Sequence, residues 1–139
     1  MTKEFAKAKP AMSLALQAFQ LRNQFPDSTI HFRSGKLVWI GELLPTPLSS
    51  VYRVKIEYVL GGRPVVVVLS PMLETRPNEK LPHVFAGKTL CLFRGRYNEW
   101  NSSMAIAATI VHWSTLWLSY YEIWLATGVW SGSKAEHPV

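Results

Sequence analysis

The only cysteine of this chain, Cys91, lies in the stretch "LPHVFAGKTLCLFRGRYNEW" (residues 81–100), eight residues after His83. The thiolate, rather than the thiol, attacks a carbonyl or takes up an acyl group, so a working cysteine needs access and some means of stabilising its anion. His83, Lys88, Arg94 and Arg96 surround it in sequence and are cationic or able to become so. The preceding "AGK" supplies a flexible turn whose backbone N–H groups would face a substrate. Residue types and spacing leave two readings open. Cys91 is a nucleophile, or it is a small apolar residue filling space between Leu90 and Leu92, which is the commoner fate of a lone cysteine.

Other chemistries find little support. His31, His83, His112 and His137 show no metal-ligand spacing, so neither a metal nor another cofactor is expected. "GGRP" reads as a turn, there is no GxxxxGK[ST] phosphate loop and no GxSxG elbow, and Asp27 is the single aspartate available to a Ser/His/Asp triad. A net charge of +6 and a pI near 9.7 raise the question of nucleic acid. The basic residues form no stripe, however: Lys3, Lys7 and Lys9 are followed by scattered singles and pairs. The charge is read as a bias toward an acidic partner, and no nucleic-acid partner is expected.

The elements that must position Cys91 follow from length and pattern. With 139 residues, 48% of them hydrophobic and 17% charged, the chain suits one domain (1–139) with its core over about residues 10–130. One cysteine closes no internal disulfide, and "MTKEFAKAKP" lacks the apolar run of a secretory signal, so a cytoplasmic setting is expected. The spacing predicts a helix over 10–25, opened by Pro10, with Met12, Leu16 and Phe19 on its apolar face and Pro26 as its stop. Strands are predicted at 29–33 and 36–41, joined by a tight "SG" turn, then at 51–60 and 65–71. In the third, Tyr52, Val54, Ile56 and Tyr58 alternate with polar residues. The fourth, "VVVVLSP", reads as covered on both faces.

From Pro71 to Arg96 there is no strong periodicity, and an irregular segment of that length inside a domain is usually functional or disordered. A last helix is predicted from a cap at Asn101, Ser102 or Ser103 to about Thr127, with Gly128 as its stop. Trp113, Trp117, Tyr120 and Trp124 share one of its faces and, like Trp100, are read as core. Its length raises the membrane question, but it contains His112 and Glu122, and a glutamate at a membrane-helix centre costs about 2–3 kcal/mol. A helix covering the sheet is expected instead, with no membrane partner. The order of helix and antiparallel strands argues for the α+β class.

The run "LPHVFAGKTLCL", a tryptophan nine residues after the cysteine and a long helix beyond it resemble ubiquitin-conjugating enzymes. In that family a His-Pro-Asn tripeptide precedes the active-site cysteine; here its position reads Leu81-Pro82-His83. The element order also matches: N-terminal helix, four-stranded antiparallel meander, active-site loop, long crossing helix. More closely, "PHVF", "LCLF", "EW", "WLSYYEIWLATGVWSG" and His137 are similar to the prokaryotic branch found in type II CBASS anti-phage operons, where a histidine stands in place of the asparagine.

The resemblance implies a ubiquitin-conjugating (UBC-like) fold and a thioester relay. Cys91 would carry the C-terminus of a donor protein, similar to a cGAS/DncV-like nucleotidyltransferase, and pass it to an acceptor protein or small nucleophile. The chain has no ATP-binding glycine motif, so activation would come from a separate activating enzyme, or be replaced by direct acylation. His83 would act as oxyanion donor, as base or as an imidazolium lowering the thiol pKa; the plainer alternative is a histidine bonding loop backbone. Eukaryotic relatives often have an acid just past the cysteine, whereas Leu92, Phe93 and Arg94 follow here and Glu99 is the nearest acid, which leaves lysine as acceptor open. Many relatives also carry two further helices, so a partner's cover is expected near Trp130 and the tail. The competing reading is a catalytically silent module of the same fold that binds a partner protein.

Overall fold

Ser13 starts the first helix, α1 (Leu14–Gln24), its hydroxyl accepting the Leu16 N–H at 3.1 Å. The computed structural model describes residues 9–93 and 99–132; Lys3, Lys7, Arg94, Arg96 and His137 lie outside them. Pro10 therefore precedes the helix and does not open it. The inward face also differs from expectation. Gln17, Ala18 and Leu21 are buried, while Leu16 and Phe19 are 43% and 62% exposed. Gln17 explains the rotation, because its amide has partners inside. Its Nε2 donates to the Met104 carbonyl and its Oε1 accepts the Ile106 N–H, each at 2.9 Å.

Four antiparallel strands follow in sequential order: β1 (Thr29–Arg33), β2 (Lys36–Leu43), β3 (Tyr52–Val59) and β4 (Val65–Ser70). Ser34 and Gly35 join β1 to β2 with φ of 53° and 75°, the positive values a type I′ turn requires. Alternation turns Leu37, Trp39 and Leu43 of β2 and Tyr52, Val54, Ile56 and Tyr58 of β3 into the core. The Trp39 ring lies across Gly41, where a Cβ would come within 2.4 Å of the indole. Its N–H reaches Ser28 Oγ at 2.8 Å.

β4 is not covered on both faces as expected. Val66 is buried, but Val65 and Leu69 are exposed, so β4 packs its inner face only. Its outer edge is met instead by the returning chain: the Leu90 N–H donates to the Val66 carbonyl at 2.9 Å, and Val67 bridges Thr89.

The last helix, α2 (Ile110–Thr127), starts later than expected. Asn101 caps no helix; its side chain accepts from the Ser103 N–H at 2.9 Å and closes a local turn. With Gln17 holding Ile106, the chain stays irregular until Thr109. The helix ends where expected, at Gly128 (φ 82°), whose N–H returns to the Trp124 carbonyl at 2.7 Å. Arg76 donates to the Leu125 carbonyl at 2.9 Å and secures this end. Glu122, the charge inside the helix, accepts from the Tyr52 hydroxyl at 2.6 Å and the Ser49 hydroxyl at 2.7 Å. It thus ties α2 to the β2–β3 loop, and burial, followed by the bond to Glu122, raises the Tyr52 pKa. Both helices and the inner sheet face share one apolar cluster, so the architecture is α+β. Among the described residues no helix is long and apolar enough to cross a membrane.

Two stability predictions follow from the interior. Gln17→Leu orphans the Ile106 N–H and should cost about 1–3 kcal/mol, read as a lower denaturation midpoint at unchanged slope. The Tyr58 hydroxyl is buried and has no hydrogen-bond partner among the described residues, while its ring meets Trp100 edge-on at 5.5 Å. Tyr58→Phe keeps that ring contact and should raise stability by about 1 kcal/mol in the same assay.

Candidate active site

The segment from His83 to Cys91 closes on itself. Val84 bridges Leu90, the Phe85 N–H donates to the Thr89 carbonyl at 2.9 Å, and the Cys91 N–H donates to the His83 carbonyl at 3.0 Å. At the tip, Ala86–Lys88 form a turn of 3₁₀ helix in which Gly87 takes a φ of 80°. His83 and Cys91 thus face each other across the base of the loop, and the β4 edge anchors its second arm. Lys88 sits at the exposed tip rather than beside the thiol.

His83 itself has a φ of 55°, a left-handed conformation that costs a non-glycine residue about 1–3 kcal/mol. The conformation aims its carbonyl at two donors. Besides Cys91, the indole N–H of Trp117 on α2 reaches the same oxygen at 3.0 Å. The imidazole packs on the Trp130 ring with centroids 4.8 Å apart and planes 39° apart. Among the described residues no hydrogen bond engages its nitrogens, and burial holds its pKa below the ordinary histidine value. Near neutral pH the ring is therefore uncharged, with one N–H to donate and one lone pair to accept a proton.

Cys91 is half-buried. Burial pushes its thiol pKa up, and the negative charge of Glu99 pushes it further in the same direction. The resting group is a protonated thiol. A neutral His83 ring supplies no positive charge to hold a thiolate, so the arrangement suits proton transfer or hydrogen-bond donation better than an imidazolium–thiolate pair.

The other expected residues divide. Trp100, Trp117 and Trp124 are buried as core, and the Trp100 indole N–H donates to Thr109 Oγ1 at 3.0 Å. Trp113 and Tyr120 are only half-buried. Trp130, expected to await a partner, already contacts His83, Trp117 and Tyr120, because Gly128 ends α2 and the chain folds back. Sequence reasoning assigned no role to Glu99 or Trp117 at this site. Glu99 stood out as the nearest downstream acid and within "EW", and Trp117 opens the run "WLSYYEIWLATGVWSG", but neither pattern pointed to a role at this site.

Replacing Glu99 with Gln removes the charge that disfavours the thiolate, so the Cys91 pKa should fall and the thiolate fraction at any given pH should rise. Iodoacetamide should then alkylate Cys91 faster at pH 7.5, and the pH–rate midpoint should move to lower pH. An unchanged profile would mean that burial alone sets the thiol.

No curated protein matches the chain. A family model described as type II CBASS E2 protein matches residues 17–138, a span that takes in all four strands, the loop between His83 and Cys91, and α2. The chain belongs to the family of type II CBASS E2 proteins.

Proposed function

We propose that this E2-like protein of anti-phage CBASS operons is a transferase of the ubiquitin-conjugating type that carries a protein C-terminus as a thioester on Cys91. The observation that supports this reading is the bond from the Cys91 N–H to the His83 carbonyl, which pairs the two residues across the base of a braced loop, with the His83 imidazole uncharged near neutral pH. The element order of α1, four-stranded meander, loop and α2 supports a UBC-like fold.

In the first step Cys91 Sγ attacks an acyl group held as a thioester on a separate activating enzyme. The new S–C bond forms, the old one breaks, and the proton from Cys91 passes by way of a base to the departing thiol. In the second step an acceptor amine attacks the carbonyl, a C–N bond forms, and Cys91 leaves and regains a proton. His83 donates an N–H to the oxyanion of that step, a contribution worth about 2.7–4 kcal/mol for a single donor. Glu99, whose charge is felt at Cys91, attracts and orients the amine, which readmits lysine as acceptor. The donor is a cGAS/DncV-like nucleotidyltransferase joined through its C-terminus.

One observation favours a second reading, a silent partner-binding module: the thiol is half-buried and its pKa is raised. The test is intact mass of the chain co-expressed with its operon neighbours and purified without reductant. Wild type should carry a protein-sized adduct cleaved by hydroxylamine, Cys91→Ser a hydroxylamine-resistant ester, and Cys91→Ala none. His83→Ala should load but discharge about 10²–10³-fold more slowly. Absence of any adduct, with equal partner binding by all forms, would establish the silent module.

A further inference from the structure

The chain beyond α2 has no counterpart in the relay just described, yet it reaches the site. Gly128 takes the left-handed conformation and turns the chain back, and the Val129 N–H is held by Thr127 Oγ1 at 3.1 Å. Trp130 then enters a nest of three rings. Its centroid lies 4.8 Å from His83, 5.3 Å from Trp117 at 61°, and 6.0 Å from Tyr120 at 55°. Two residues later Gly132 lies flat on Tyr120, where a Cβ would fall 2.6 Å from the Tyr120 ring and 3.0 Å from the Trp130 indole nitrogen.

His83 is therefore held at two points by two tryptophans that touch each other. Trp117 fixes its carbonyl, and with it the loop backbone. The imidazole has no such tie among the described residues; ring contact with Trp130 is what orients it. We infer that the segment Val129–Gly132 is a clamp and that Trp130 is a positioning residue, holding the His83 imidazole in one orientation over the loop base. The burial that lowers the His83 pKa is consistent with that cover. The catalytic value of the clamp rests on the carrier reading above; its physical existence does not.

The experiment compares the full chain with Trp130→Phe, Trp130→Leu and Gly132→Ala. The last lifts the strap without altering any ring. Histidine ring protons are followed by NMR, with His83 assigned by its loss in His83→Gln. Ring-current shifts of His83 should persist in the Phe variant and collapse in the Leu and Gly132→Ala variants, while hydrogen-exchange protection of the Cys91 amide stays as in wild type. Discharge of the loaded thioester to hydroxylamine should slow about 10- to 100-fold in those two and be restored in the Phe variant. Unmoved His83 shifts in Trp130→Leu would overturn the clamp, as would loss of Cys91 protection along with them, since the role would then be structural. Released His83 shifts in a protein whose wild type never forms a thioester would support the clamp and sink the carrier reading.

Discussion

The site hangs on one backbone oxygen. The His83 carbonyl has two lone pairs, and both are used, one by the Cys91 N–H and one by the Trp117 indole N–H. Through it a loop, a helix and the thiol-bearing residue hold fixed relative positions. Each neutral bond contributes about 1 kcal/mol net. Two of them are comparable with the cost of the left-handed backbone at His83, so the strained conformation persists because of the bonds it makes available. The same arrangement separates tasks within one residue. The main chain of His83 braces the loop, while its imidazole makes no hydrogen bond among the described residues. The plain alternative, a histidine bonding loop backbone, is met through the His83 carbonyl, which accepts the Cys91 N–H.

The electrostatics describe a resting state. Burial raises the thiol pKa and lowers that of the imidazole, so both groups are neutral near pH 7, and Glu99 reinforces the first effect. A protonated thiol is a poor target for oxidants and alkylating agents. A thiolate formed from a high-pKa thiol is also intrinsically more nucleophilic than one from an acidic thiol. Both properties suit the carrier role proposed above.

The sheet was largely legible because its signals are local. The alternation of Tyr52, Val54, Ile56 and Tyr58 and the Ser34–Gly35 turn need no distant partner to be interpreted. The first helix was misread for the opposite reason. Its apolar stripe of Leu16 and Phe19 faces outward, and the polar Gln17 faces inward because Met104 and Ile106, far along the chain, satisfy its amide. The residues from Asn101 to Ser103 looked like caps and serve as a turn, while Gly128 was read correctly from the same kind of local rule. At the site, Cys91 and His83 stood out through a motif. The supports around them, Trp117, Trp130 and Glu99, fall within stretches that carry the resemblance, but those stretches do not say what each residue touches; that depends on how α2 crosses the loop and on where the chain turns after Gly128.

One further consequence lies in how the loop meets β4. That strand is a run of four valines followed by leucine and serine, with strong β propensity and no charge, and such a strand left with a bare edge recruits other chains. The arm carrying Thr89 and Leu90 occupies part of that edge where Thr89 bridges Val67 and the Leu90 N–H donates to the Val66 carbonyl. The loop between His83 and Cys91 is therefore also a guard against aggregation. Substitutions that loosen it cost solubility whatever the loop does in a reaction, and that penalty falls even on a copy of this protein that has no reaction to perform.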